Sequence, residues 1–88
     1  MIALSGIGNP KPFLQTLRER YAVVAEMTLE DHHVYKVRDM NALKALLAKH
    51  PGAVIVTTEK DAVKMTNRKK IPEAVRRNLY YLPINISF

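Results

Sequence analysis

Residues 53–61 read AVIVTTEKD, an apolar run of strand length that leads directly into a polar and charged segment. An unbroken apolar run of this kind is typical of a strand that is covered on both faces. Thr58 is followed three residues later by Asp61, a spacing that resembles a capping box and predicts the start of a short helix. This stretch therefore predicts a buried strand, Ala53–Val56, that continues through a charged turn into a helix.

The remainder of the chain repeats this alternation. Its apolar runs predict strands at Ile2–Ser5, Ala22–Thr28 and Leu79–Leu82. Between the first two strands a helix is predicted, capped by Asn9 and begun by Pro10, and after the second a helix on which Met40, Leu43, Leu46 and Leu47 share a face and which ends at His50-Pro51-Gly52. The helix that follows Thr58 leads into a predicted loop at 67–70, and a short helix is predicted at Pro72–Arg77. Such alternation predicts an α/β fold: a small, mainly parallel sheet of about four strands with helices packed on it in two or three layers. The 88 residues are enough for one domain.

Three polar or glycine-marked turns follow the predicted strands, at Gly6–Pro10, Glu30–Tyr35 and Thr57–Asp61. In a parallel sheet, the turns that lead from a strand into a helix all emerge at the same edge, and ligands bind there. The sequence thus predicts that these turns form one site.

Two of these turns also have a purely structural interpretation. Gly6 and Gly8 lie where a phosphate loop would lie, but the third glycine of a dinucleotide fingerprint is missing, and so is the Gly-Lys-Ser or Gly-Lys-Thr of a Walker A loop. A tight turn that needs the flexible dihedral angles of glycine is the favoured interpretation. Glu59, Lys60 and Asp61 could bind a ligand, but a helix cap with a local Glu–Lys pair is favoured.

Asp31, His32 and His33 form the sharpest chemical feature of the chain. An aspartate can fix the tautomer of a neighbouring histidine, and histidine titrates close to neutral pH, so the pair suits proton transfer. A metal site needs three or four ligands, and the only further histidine is His50. No metal site is therefore predicted. A turn that merely caps the next helix explains the same residues, and their spacing does not choose between these two interpretations.

The chain carries a net charge of +6 and contains no cysteine. Without cysteine, a disulfide framework and a thiolate metal site are excluded. No apolar run approaches the ~20 residues that a membrane span requires. The charge favours an acidic partner, which could be nucleic acid, anionic lipid headgroups or a phosphorylated ligand, although solubility explains it equally well.

Two alternative functions involve no catalysis. In a nucleic-acid-binding module, the basic clusters Arg68-Lys69-Lys70 and Arg76-Arg77 would contact phosphates and Tyr80 or Tyr81 would stack on bases, although one of the two rings is expected to pack in the core. No helix-turn-helix or RNA-binding signature supports this function. In a protein-interaction domain, the three turns would dock a partner.

Four segments together resemble the C-terminal domain of the tetraacyldisaccharide 4'-kinases. They are residues 5–10 with Phe13 and Leu17 behind them, residues 31–35, residues 57–64 and residues 80–84. They occur in the family's order with similar gaps, and the string TTEKDAVK at 57–64 is the most specific of them. The resemblance covers essentially the whole chain.

The resemblance implies an enzyme of lipid A biosynthesis that transfers the γ-phosphoryl group of ATP to the 4'-hydroxyl of a tetraacyldisaccharide 1-phosphate. It implies a larger N-terminal P-loop domain, absent from these 88 residues, that binds ATP and Mg²⁺ and carries an aspartate base. This chain itself would bind neither nucleotide nor metal. The implied partners are that kinase domain, the lipid substrate and the inner membrane, on whose cytoplasmic face the enzyme would be peripheral. Nucleic acid is not among them.

The resemblance also implies roles for single residues. His32 would reach across the domain cleft to the aspartate base and help to accept the proton of the attacking hydroxyl, and Asp31 would orient His32. His33 receives no role. The edge of the cleft, without assigned roles, would comprise Gly6, Gly8, Asn9, Thr58, Glu59, Lys60 and Asp61. Because phosphoryl transfer needs donor, metal and acceptor aligned, this chain alone is predicted to be inactive.

Overall fold

The computed structural model of the protein describes residues 1–31, 34–66 and 71–82. Strands and helices alternate along it. In chain order they are β1 (Ile2–Ser5), α1 (Lys11–Arg20), β2 (Ala25–Thr28), α2 (Val37–Lys49), β3 (Ile55–Thr58), α3 (Glu59–Thr66), α4 (Glu73–Arg77) and β4 (Leu79–Leu82). The predicted α/β fold is confirmed, whereas the predicted loop at 67–70 lies outside the described residues.

The strands of the described ranges form one parallel sheet in the order β2-β1-β3-β4. The two inner strands, β1 and β3, are buried along their whole length, whereas β2 alternates between partly buried and exposed residues. The polar end of β3 is accommodated by hydrogen bonding, since the Thr57 hydroxyl donates to the carbonyl oxygen of Leu4 at 2.7 Å. Burial of both faces explains the continuous apolar run that begins β3.

Helices cover both faces of this sheet, so the fold has three layers. Alternate residues of a strand face opposite sides, and the core divides accordingly into two clusters. One cluster joins α1 to the sheet and contains Ala3, Phe13, Leu14, Leu17 and Val56. The other joins α2, α3 and α4 to the opposite face and contains Ile2, Leu4, Tyr35, Met40, Leu43, Ile55, Met65 and Val75. The chain therefore leaves β1 toward one face and β3 toward the other, which opens a crevice between these neighbouring strands.

Helix α1 begins differently from the prediction. Asn9 is exposed, and Pro10 occupies the capping position without a side-chain cap. The carbonyl oxygen of Pro10 accepts the first helical hydrogen bond, from the Leu14 N–H at 2.9 Å. Pro12 then lies in the first turn, where its missing N–H costs no helical bond and leaves fewer N–H groups that need a cap.

Two strands begin later than predicted. β2 starts at Ala25, where its pairing with Ile2 of β1 begins; the Val24 N–H before it donates to the carbonyl oxygen of Met1 at 2.9 Å. β3 covers Ile55–Thr58, because Ala53 still belongs to the turn after α2, where its N–H donates to the carbonyl oxygen of the capping residue at 3.0 Å.

The prediction that one ring of the tyrosine pair packs in the core is wrong. Tyr80 and Tyr81 are 56% and 51% exposed. Both lie on β4, an edge strand of the described sheet, where a strand has a neighbour on one side only and is covered less completely.

Candidate functional site at the carboxyl edge of the sheet

Three segments lie at the carboxyl edge of the sheet, as the parallel arrangement predicts: two loops and, in place of the predicted third turn, the first turn of α3, which begins at Glu59 directly after β3. They follow Ser5 in β1, Thr28 in β2 and Thr58 in β3. At this edge lie the predicted residues Gly6, Gly8, Asn9, Asp31, Thr58, Glu59, Lys60 and Asp61. His32 and His33 lie outside the described residues.

Asp61 is the point at which these loops are joined. Its carboxylate is fully buried and accepts hydrogen bonds from the Gly6 N–H at 3.1 Å, the Thr58 hydroxyl at 2.5 Å and the Tyr35 hydroxyl at 3.0 Å. An ionised carboxylate has only acceptor positions, so three donors match its chemistry. Asp61 therefore connects the loops after β1 and β2 to the first turn of α3.

Of the two hydrogen bonds of the predicted capping box of α3, one is confirmed. The Asp61 N–H donates to the Thr58 hydroxyl oxygen at 3.1 Å, as a capping threonine requires. The reciprocal contact differs, because the Asp61 carboxylate turns away from the backbone of Thr58 and toward the loop after β1. Thr58 and Asp61 are thus buried at this edge, whereas Glu59 and Lys60 are exposed.

Gly6 is required for close approach to Asp61, which corrects its interpretation as a conformationally flexible turn residue. Neither Gly6 nor Gly8 has a positive φ; among the described glycines only Gly52 does, at 84°. A Cβ atom at Gly6 would lie 3.0 Å from Oδ1 of Asp61 and 3.4 Å from the Tyr35 hydroxyl. The absence of a side chain lets the Gly6 N–H reach the buried carboxylate.

Gly8 brings the loop after β1 against the predicted catalytic segment. A Cβ atom at Gly8 would lie 3.2 Å from Oδ2 of Asp31. Asp31 is exposed, and so is Gly8. The two loops therefore touch on the solvent side of the edge, immediately before position 32.

Tyr35 supplies the hydrogen bond that joins the loop after β2 to Asp61. Burial raises the pKa of the Tyr35 hydroxyl well above its usual value. The negative charge of Asp61, the hydrogen bond to it and the charge of Asp39 raise this pKa further. Tyr35 therefore remains a neutral donor across the physiological pH range.

The crevice between β1 and β3 opens at this edge between the loop after β1 and the first turns of α3. We call it the β1–β3 crevice; it has a volume of about 600 Å³ and is lined by Ile7, Thr58, Glu59, Lys60, Val63 and Lys64. Its walls combine apolar side chains with two lysines and one glutamate. The point at which neighbouring parallel strands send their chains to opposite faces is the usual ligand position in open α/β sheets.

The family model for tetraacyldisaccharide-1-P 4'-kinase matches residues 1–88, the whole chain. The chain belongs to this family. The resemblance to this family that the four sequence segments indicated is thereby confirmed.

Curated tetraacyldisaccharide 4'-kinases from several bacteria match almost the whole chain. The tetraacyldisaccharide 4'-kinase of Methylorubrum extorquens strain PA1 is 50% identical over 89 residues, which cover 100% of this chain and 25% of that protein. The tetraacyldisaccharide 4'-kinase of Bacteroides thetaiotaomicron is 32% identical over 88 residues, covering 98% of this chain and 23% of that protein. The chain thus spans about a quarter of the length of the curated kinases that it matches. No solved structure matches it.

Sequence reasoning did not single out Lys64 and Tyr35 as site residues. Lys64 could have been singled out, because residues four apart on a helix share a face and Lys60 precedes it by that interval. For Tyr35, no spacing along the sequence indicated a partner. Its partner Asp61 is 26 residues away along the chain, and only the packing of the loops brings them together.

Proposed function

We propose that this chain is the C-terminal domain of a tetraacyldisaccharide 4'-kinase. The whole enzyme would transfer the γ-phosphoryl group of ATP to the 4'-hydroxyl of tetraacyldisaccharide 1-phosphate in lipid A biosynthesis. The observation that carries the proposal is the family match over residues 1–88, a stretch that corresponds to about a quarter of its relatives. A larger N-terminal domain of the P-loop type would supply the remainder.

In this proposal His32 is the catalytic residue of the domain and Asp31 orients it. His32 would pair with the aspartate base of the other domain and help to accept the proton of the attacking hydroxyl. Support comes from Asp31, directly before the histidine pair, and from Tyr35, two residues after it. Asp31 lies against Gly8 at the carboxyl edge, and Tyr35 is hydrogen-bonded to Asp61 at the same edge.

In this proposal ATP and Mg²⁺ are bound mainly by the N-terminal domain, as the family resemblance implies. Within residues 1–31, 34–66 and 71–82, no three His, Asp or Glu side chains cluster as metal ligands. Both carboxylate oxygens of the buried Asp61 already accept hydrogen bonds from this chain. The chain would therefore contribute positioning and proton handling at the acceptor hydroxyl.

The partners in this proposal are the N-terminal kinase domain and the lipid substrate. The enzyme would act in the cytoplasm, peripherally on the inner face of the inner membrane. The net charge of +6 supports contact with anionic headgroups, which attract basic surfaces. Across the described residues, no helix has the length and apolarity to cross a membrane.

The decisive experiment compares His32→Ala with His33→Ala in the intact kinase that contains this domain. His32→Ala is expected to lower kcat about a hundredfold or more, the usual contribution of a general acid–base group, with ATP affinity nearly unchanged. His33→Ala is the matched control and should retain turnover. Wild-type turnover in His32→Ala, or an equal loss in both variants, would refute the assignment.

The domain assignment has its own test. The 88-residue chain is expected to show no ATP hydrolysis above background when purified alone, because the groups that hold the donor and metal would be missing. Hydrolysis that copurifies with the chain would contradict this. The gene provides an independent check, since a P-loop kinase domain should be encoded directly upstream of Met1.

A further inference from the structure

Lys64 presents a buried cation without a partner. Its Nζ atom is inaccessible to solvent, and no hydrogen-bond partner for it exists in the part of the chain that the structure describes. A lysine ammonium has three donors and no acceptor, and burial of an unpaired charge is costly. Buried polar groups are nearly always satisfied, so an unsatisfied one calls for a ligand or a special role.

The position of Lys64 indicates where that ligand would lie. Lys64 belongs to α3 and lines the β1–β3 crevice, whose volume of about 600 Å³ is within the usual range for a small-molecule site. Lys60 lines the same crevice one helical turn earlier, so that the two lysines share a face of α3. Ile7 and Val63 add apolar wall.

Neighbouring carboxylates do not neutralise these lysines. Asp61 is directed away from Lys64, since its oxygens accept hydrogen bonds from Gly6, Thr58 and Tyr35. Glu59 also lines the crevice, but it is exposed and therefore well solvated. Two lysines against one solvated glutamate leave the crevice with a net positive charge, which suits an anion.

We propose that the β1–β3 crevice binds a phosphate group through the ammonium groups of Lys64 and Lys60. Phosphate oxygens would accept charge-assisted hydrogen bonds from both Nζ atoms. For this the Lys64 side chain, whose Nζ is enclosed in the free protein, would turn that atom into the crevice. The phosphate could be free or carried by a sugar, and the chemistry of recognition is the same. The site is a property of this chain, distinct from the phosphate loop expected on the N-terminal domain and independent of the proposed transfer reaction.

The test measures the binding of inorganic phosphate to the purified full-length protein by calorimetry. The variant Lys64→Met keeps the aliphatic stem and removes the charge, and it is expected to weaken binding of inorganic phosphate about tenfold or more. Lys44→Met removes an exposed lysine from α2 and is the matched control, with unchanged affinity expected. In phosphate-free buffer, the Tm of Lys64→Met should equal or exceed that of the wild type, because an unpaired buried charge has been removed.

Glucose 1-phosphate serves as the second probe and shows whether the bound phosphate is free or attached to a sugar. Tighter binding of glucose 1-phosphate than of inorganic phosphate supports a phosphosugar ligand, and equal binding supports free phosphate; Lys64→Met should weaken both. If Lys64→Met fails to fold, Lys60→Gln replaces it, because Lys60 is exposed; this variant should weaken phosphate binding several-fold. No measurable binding of either probe, or equal affinity in wild type and lysine variants, overturns the proposal. Since the readout is binding, neither result depends on kinase activity.

Discussion

The hydroxyl of Tyr35 donates a hydrogen bond of 3.0 Å to Oδ1 of Asp61, and both residues are buried. This bond attaches the loop between β2 and α2 to the first turn of α3. The same carboxylate accepts the Gly6 N–H from the loop after β1. The relative position of these two loops and the first turn of α3 is therefore set by one acidic side chain that does not face solvent.

Replacement of Tyr35 by phenylalanine tests the strength of this attachment. The change keeps the ring in the core but leaves Oδ1 of Asp61 buried without that donor, so the free energy of unfolding should fall by about 1–3 kcal/mol. Urea denaturation followed by circular dichroism provides the measurement. Tyr21→Phe alters an exposed hydroxyl and serves as control, with no change expected. Equal stabilities of the two variants would argue against a stabilising bond.

Substitution of Gly6 by alanine tests close approach as the reason for glycine. The new methyl group would lie 3.0 Å from the Asp61 carboxylate, and overpacking of this kind costs about 1–3 kcal/mol. Gly8→Ala is the control: its methyl group would meet the carboxylate of Asp31 at 3.2 Å, and because that carboxylate is exposed rather than enclosed by the core, the loss of stability should be smaller. The Tm values of the two variants are compared by thermal unfolding. A larger loss of Tm for Gly8→Ala than for Gly6→Ala would contradict close approach as the reason for glycine at position 6.

The hydroxyl of Thr58 can be tested by a matched pair of substitutions. Thr58→Ala removes both the cap of α3 and a donor to Asp61, and loss of a capping hydroxyl costs about 0.5–2 kcal/mol. Thr58→Ser keeps the hydroxyl and should remain close to wild type in denaturant titration. If serine is as destabilising as alanine, the methyl group rather than the hydroxyl is responsible.

The raised pKa of Tyr35 predicts a loss of stability at alkaline pH. In the unfolded chain the phenol loses its proton near pH 10, whereas in the folded protein it keeps the proton. Above this pH the unfolded state binds fewer protons, so the free energy of unfolding falls as pH rises; below it the contribution is complete. Between about pH 10 and pH 11 the Tm of Tyr35→Phe should decline less steeply than that of the wild type. Parallel declines would show that Tyr35 does not titrate on unfolding.

Local sequence patterns predicted the elements whose causes are local. The stop signal at 50–52 ends α2 as expected, with His50 at the capping position and Gly52 at a φ of 84°. The last strand, Leu79–Leu82, has the predicted bounds. Less was predicted where an element depends on its neighbours, as at β2, whose start is set by pairing with the first residues of the chain.

The sequence by itself determined the alternation of strands and helices, the parallel sheet, and the gathering of the polar segments after three strands at its carboxyl edge. Periodicity and the handedness of crossovers make these features predictable. Only the tertiary structure decided that Gly6 is needed for close approach rather than for its dihedral freedom, and that Asp61 is enclosed by donors from distant loops. It also decided that Lys64 is left buried and unpaired among the described residues. Contacts of this kind depend on which side chains the packed layers bring together, and spacing along the chain does not encode them.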